Sequence, residues 1–134
     1  MKVKICGITN RDDALAACDA GADALGFNFA EEARKKNRYI DPEVAAGIID
    51  QLPPFVISVA VTVNAALEQI EEYLSFVDRV QLHGEEPPDV AEKLGGLCIQ
   101  VFRTGSDFQL PALNAYSADP CLLSHGVPGP RPGT

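Results

Sequence analysis

Short apolar runs alternate with stretches of helical periodicity along the chain. Val3-Lys4-Ile5-Cys6 reads as a first strand. Asn10 is placed to cap the helix that follows, with Asp12 and Asp13 in its positive first turn. Leu15, Cys18 and the alanines between them supply an apolar stripe, and Gly21 ends the helix. Ala24 to Phe29 is the second strand, followed by a polar, basic loop. Asp41-Pro42-Glu43 then reads as an N-cap with proline at the first helical position, and Val44, Ala45, Ile48 and Ile49 as the buried face. "FVISVAVTV", residues 55 to 63, is nearly continuous and β-branched, as in a strand covered on both faces. Asn64 is expected to cap a helix in which Leu67, Ile70, Leu74 and Val77 recur at helical spacing. Arg79 to Leu82 is strand four. Pro87-Pro88-Asp89 opens a helix carrying Val90, Ala91 and Leu94, Gly95-Gly96 breaks it, and Leu97 to Phe102 is strand five. Residues 108 to 116 make a short helix at best, Cys121-Leu122-Leu123 is a sixth strand, and "SHGVPGPRPGT" reads as loop.

The pattern therefore predicts one α/β domain over residues 1–134, with five strand–helix units and a sixth strand in a parallel sheet with right-handed crossovers. Two architectures satisfy it. One is an open, doubly wound sheet and the other is an incomplete (β/α)8 TIM barrel. An open nucleotide-binding sheet usually carries a glycine-rich phosphate loop after its first strand, and "CGITN" has a single glycine. Periodicity alone does not separate the two.

Composition narrows the function classes. A length of 134 residues suits a single domain with a real core. The net charge of −8 argues against a nucleic-acid partner, although Arg34, Lys35, Lys36 and Arg38 form one local basic cluster. Such a cluster is either solvated loop or an anion site. No apolar run reaches the ~18 residues of a membrane span, and Met1-Lys2-Val3-Lys4 leads into a strand and not into a signal sequence. Cys6, Cys18, Cys98 and Cys121 lack the spacing of a zinc knuckle, so neither a metal nor a cofactor is expected. Reduced thiols and a cytoplasmic location are the corresponding expectation.

Cys6 raises the question of chemistry, because it sits where a strand gives way to a loop and is followed at once by Gly7. A buried cysteine is usually a small hydrophobe that packs and does nothing else. In barrel enzymes, however, catalytic groups stand at the C-terminal ends of strands. "KICGIT" at residues 4–9, then "DALAACDAGADALGFNF", "RYI", "VAVTVN" and "VQLHGEE", in this order and spacing, resembles the phosphoribosylanthranilate isomerase family of tryptophan biosynthesis. The resemblance extends over the whole chain. It implies a (β/α)8 barrel and an Amadori rearrangement of N-(5'-phosphoribosyl)anthranilate to a 1-amino-1-deoxyketose phosphate. Cys6 matches the general base that takes the proton from C2' of the ribose. A thiol ordinarily ionises near pH 8.5, so it serves as a base once its surroundings favour thiolate. Arg38 in "NRYI" matches an arginine that holds the anthranilate carboxylate, which a guanidinium forks well onto. Lys36-Asn37 stands where the family often has Ser-Pro, which implies a less stiff loop. His83 in "QLHG" would face the same mouth as a substrate-binding residue, or else be tied to backbone.

Two departures matter as much. The family places its general acid, an aspartate, at the end of strand six, and the matching position is Ser124. Asp119 precedes that strand and is expected at the opposite end of the barrel. Pro132-Gly133-Thr134 falls where the family continues through a Gly-Gly-Thr-Gly stretch, so strands seven and eight and their phosphate-gripping loops are expected to be missing. The expectation is an isomerase homologue inactive as this chain alone. The alternatives are a non-catalytic partial-barrel folding unit, or one half of a split enzyme completed by another chain. Strands one and six would then have unpaired edges, covered by Lys2, Lys4 and the 124–134 tail or by a second copy in a homo-oligomer.

Overall fold

Strand order distinguishes the two architectures left open by periodicity. A computed structural model describes residues 1–104, 111 and 121–125. Its elements run β1 (Lys4–Cys6), α1 (Arg11–Asp19), β2 (Ala24–Asn28), α2 (Pro42–Ile49), β3 (Ile57–Thr62), α3 (Leu67–Tyr73), β4 (Arg79–Leu82), α4 (Pro88–Leu94), β5 (Cys98–Thr104) and β6 (Cys121–His125). The six strands lie in sequence order, β1-β2-β3-β4-β5-β6, and each pair is parallel. A doubly wound sheet reverses direction part-way, whereas consecutive order is the order of a barrel. The fold is an incomplete (β/α)8 barrel, with β1 and β6 at the two edges of the sheet.

Alternation along each strand assigns its two faces. Leu25, Phe27, Ala60, Val80, Leu82 and Cys98 pack in one core with Ala14, Ala45, Ile48, Ile70 and Ala91 from the helices. The opposite face carries Gly26, Val59, Val61, Gln81 and Val101, and it lines the barrel interior. The helices start where the side chains dictate. Asn10 accepts from the backbone N–H of Asp13 at 2.8 Å, and Asp41 accepts from Glu43 at 3.0 Å with Pro42 behind it. Gly21 and Gly95 end α1 and α4 with positive φ angles of 97° and 57°.

A repeated device ties the strands at their N-terminal ends. Asp23, just before β2, accepts the backbone N–H of Val3 at 2.8 Å. Asp78, just before β4, accepts the N–H and hydroxyl of Ser58 at 2.8 and 3.0 Å. The spacing is 20 residues in both.

Several expectations need correction. Asn64 does not cap α3, which starts at Leu67 with Ala66 as its N-cap. Asn64 instead adopts a left-handed conformation with φ 51°. Val77 lies past the end of α3, and Val44 is 55% exposed on the outer side of α2. The basic stretch after β2 is a 3-10 helix over Glu31–Lys36, acidic at its start and basic at its end as the helix dipole favours. Strand β6 extends through His125, so Ser124 lies within it. Lys2 pairs with Asp23 at 3.7 Å and stays in water, so it does not cover the open edge. Asp119, the tail after 125 and, apart from Pro111, the helix expected over 108–116 lie outside the described residues.

The assignment of faces has a direct test. Phe27 is completely buried and Phe55 is 93% exposed. Urea denaturation should show Phe27→Ala losing about 3–5 kcal/mol of stability, or failing to fold. Phe55→Ala should stay within about 0.5 kcal/mol of the parent.

Candidate active site

Six parallel strands direct their C-terminal ends to one rim, and there the chemistry-bearing side chains gather. Cys6 is the last residue of β1, and Gly7 takes a φ of 84° that ordinary residues avoid. The backbone N–H groups of Gly7 and Ile8 both donate to the carbonyl of Gly26 at 3.1 Å, which pins the turn to β2. Gly26 is also the register partner of Cys6. A Cβ at Gly26 would lie 2.9 Å from Cys6 Sγ, closer than real contacts allow. The missing side chain is what lets the thiol occupy the inner face. The thiol is free and exposed, so it is not a packed core cysteine.

Arg38 packs on the turn that follows Cys6. Asn37, at φ 53°, reverses the chain after the 3-10 helix, and Arg38 N donates to Ala33 O at 3.0 Å. Proline could not adopt that φ. The aliphatic stem of Arg38 lies over Gly7, where a Cβ would meet its Cγ at 3.4 Å. The rest of the basic cluster divides by role. Arg34 pairs with Glu31 at 2.6 Å and stacks 3.7 Å over the Tyr39 ring, which fixes it to structure. Lys36 lines the cavity with Arg38.

His83 follows β4, and its N–H donates to Thr62 O at 2.9 Å. Its ring Nδ1 is 3.2 Å from Gln81 Nε2, and its carbonyl accepts from Arg103 Nη2 at 3.2 Å. Behind it, the buried carboxylate of Glu86 fastens the loops after β3 and β4 together. It accepts from Asn64 N at 2.9 Å and from Gly84 N at 3.0 and 3.2 Å. Asn64 completes the clasp by accepting from Glu85 N at 2.9 Å. A Cβ on Gly84 would stand 2.6 Å from the Asn64 oxygen, so only glycine fits.

Cys6, Arg38 and His83 thus line one cavity of about 290 Å3. Its charged lining is Lys36, Arg38 and Arg103 against Glu32. This is a cationic pocket in a chain of net charge −8. Ser124 is half-buried and does not line this cavity, but it sits in register with Arg103, which does. A second cavity of about 660 Å3 shares Glu32, Val63 and Arg103 with the first.

The family model for N-(5'phosphoribosyl)anthranilate (PRA) isomerase matches residues 3–125. The chain belongs to the N-(5'-phosphoribosyl)anthranilate isomerase family. It is 43% identical to the isomerase of Chlorobium phaeobacteroides over 98% of its length, and 46% identical to that of Citrifermentans bemidjiense over 99%. It spans only 61% and 64% of those relatives. The structure is similar to that of the Thermus thermophilus isomerase, with a TM-score of 0.84 at 39% identity, covering 96% of this chain and 64% of the other. A further isomerase, at 34% identity and a TM-score of 0.75, was solved with reduced 1-(o-carboxyphenylamino)-1-deoxyribulose 5-phosphate. That match covers 95% of this chain and 76% of the other.

All four residues singled out by the family resemblance fall within the matched segment. Three share the cavity, and Ser124 adjoins it. Sequence reasoning passed over Gln81, Asn28 and Arg103, which also line it. A period of two was the available signal, because Gln81 is two residues before His83 and Asn28 two after Gly26. Arg103 lies beyond the expected end of the fifth strand at Phe102, two residues short of its observed end at Thr104.

Thiol reactivity checks the placement of Cys6. Burial and then the Asp19 charge push the Cys18 thiol up, and Cys98 is fully buried. Iodoacetamide under native conditions should therefore alkylate Cys6 before Cys18 and Cys98, as peptide mass spectrometry would show. Equal labelling of Cys98 would contradict the fold.

Proposed function

We propose that this chain carries the general-base side of the N-(5'-phosphoribosyl)anthranilate isomerase site. The observation that carries the reading is the exposed Cys6 thiol, held at the rim by Gly26 and Gly7 in one cationic cavity with Arg38. In the rearrangement, the anthranilate nitrogen lone pair expels the ribose ring oxygen and forms a C1'–N double bond. A base then removes the C2' proton, and the electrons of that C–H bond pass to C1' and nitrogen. The resulting enol tautomerises to the ketone. Cys6 as thiolate is the base, and Arg38 takes the anthranilate carboxylate in a forked pair. His83, anchored through its backbone to Thr62 and Arg103, presents its ring to the substrate. The reading needs no cofactor or metal.

The acid step is where this chain departs. The departing ring oxygen needs a proton, and the hydroxyl of Ser124 is a very poor donor at neutral pH. Loss of a general acid typically costs ~10²–10⁴-fold. The phosphate-gripping loops of such barrels follow strands seven and eight, beyond the length over which this chain and its relatives match. The 134-residue chain alone should therefore turn over N-(5'-phosphoribosyl)anthranilate negligibly, and Ser124→Asp alone should not restore turnover. Adding a relative's C-terminal segment to the Ser124→Asp chain should restore it, and Cys6→Ala should abolish it again. A fluorescence assay of substrate loss measures all four. Turnover by the unaltered chain alone within tenfold of an ordinary family member would overturn the proposal.

The open edges support a second reading, in which another polypeptide completes the sheet. Val3, Ile5 and Leu122, at and beside the two edge strands, are 40%, 41% and 37% exposed. Unpaired strand edges beside apolar side chains favour association. The net charge of −8 opposes it weakly, because screening acts within ~8 Å at physiological salt. Sedimentation at micromolar concentrations should show self-association through β1 and β6. A clean monomer with no concentration dependence would refute it.

A further inference from the structure

Within the isomerase reading, on which this step rests, we infer that Glu86 is a positioning residue whose buried carboxylate fixes the His83 ring on the cavity wall. Strands β3 and β4 are tied together by a carboxylate at each end, and the two ties differ. Asp78, before β4, holds the N–H and hydroxyl of Ser58 from an exposed position. Glu86, after β4, holds Asn64 N and Gly84 N and is only 2% exposed. Both its oxygens accept, as those of a carboxylate do. Burying such a group carries a desolvation cost that an exposed tie avoids, so stability alone does not account for it.

The geometry around His83 supplies the reason. Its backbone N–H donates to Thr62 O at 2.9 Å, and its carbonyl accepts from Arg103 Nη2 at 3.2 Å. The next N–H, that of Gly84, goes to Glu86 at 3.0 and 3.2 Å. The planar peptide units on both sides of His83 are therefore held, and with them its Cα–Cβ direction. Only the two side-chain torsions remain to place the ring, whose Nδ1 stands 3.2 Å from the Gln81 amide.

Two charged groups hold the peptide between His83 and Gly84, and they hold it unequally. The Arg103 bond is exposed and open to competition from water, whereas the Glu86 bonds are part-buried. Glu86 Oε1 also takes Asn64 N at 2.9 Å, and Asn64 Oδ1 takes Glu85 N at 2.9 Å. The segment after His83 is thereby fixed against the loop after β3. Glu86 is not among the residues that line the cavity of Cys6, Arg38 and His83, so it acts through His83 and not on a ligand.

The test compares two matched variants of the full 134-residue chain, Glu86→Ala and Asp78→Ala. Each removes one carboxylate tie between β3 and β4, and urea denaturation should show both destabilised. Only Glu86→Ala should displace the 1H–13C ring signals of His83 in the folded chain. It alone should weaken reduced 1-(o-carboxyphenylamino)-1-deoxyribulose 5-phosphate, by about tenfold, the usual effect of one misplaced hydrogen bond. Asp78→Ala should leave the ring signals in place and the analogue's affinity within twofold. If Glu86→Ala fails to fold, Asn64→Gly decides. Glycine keeps the left-handed turn at 64 and removes the bond to Glu85 N, and it should displace the same ring signals. A folded Glu86→Ala, or in its place a folded Asn64→Gly, with ring signals and analogue affinity like those of Asp78→Ala would overturn this inference and leave the isomerase reading standing. No shift at Cys6, Arg38 or His83 of the parent with millimolar analogue would overturn both.

Discussion

The whole rim depends on one close approach between neighbouring strands. Cys6 Sγ occupies the space where a side chain at Gly26 would have to be, because the parallel register sets the two residues side by side. Any larger residue at 26 would drive the thiol off the inner face or push β1 from β2. The same glycine's carbonyl takes two backbone N–H groups of the turn after Cys6. That turn in turn seats Arg38, whose stem crosses Gly7. Gly26 in register with Cys6, and Gly7 next to it in the chain, thus bring together Cys6 and Arg38, 32 positions apart. The chemistry rests on backbone geometry more than on any ion pair.

The molecule separates what holds it together from what it exposes for reaction. At the N-terminal ends of the strands, Asp23 and Asp78 spend their carboxylates on the backbone of the preceding strand. At the C-terminal ends, cations and amides face an open cavity, while the carboxylate of Glu86 is committed to structure. The clasp it forms holds the loop that follows His83 to the loop after β3. A polar rim cannot rely on apolar packing, so buried hydrogen bonds to a carboxylate replace it.

The sequence made the strands, caps and family legible for different reasons. Strand β3 announced itself because both its faces are buried, and Asn10 and Asp41 because caps are local. Asn64 misled for an instructive reason. Its polar side chain before an apolar periodic run looks like a cap, but its partner is Glu85, 21 residues away. Val44 fits the apolar pattern of α2 yet faces out, since periodicity marks a stripe without fixing its edge. Cys6, Arg38 and His83 were legible through motif spacing. Gln81 was legible only through the period of two that puts it on the face of His83, and Arg103 was not, because strand ends are set by pairing with the neighbouring strand and β5 runs on to Thr104.

The charge of the cavity and the charge of the chain have opposite signs, and this follows from the fold. Acidic residues sit in first helical turns, as Asp12, Asp13, Glu43 and Asp89 do, where they meet the positive ends of helix dipoles on the outer layer. Lys36, Arg38 and Arg103 stand instead at the rim, two of them on the segment that runs from the 3-10 helix back toward β1 and one at the end of β5. Partially enclosed walls concentrate their field inward, while the outer carboxylates are screened by water within about one Debye length. Among the described residues, an anionic ligand therefore meets three cations and one carboxylate on the wall of this cavity. That place is where the exposed Cys6 thiol stands, beside Lys36, Arg38 and Arg103 on the wall of one cavity.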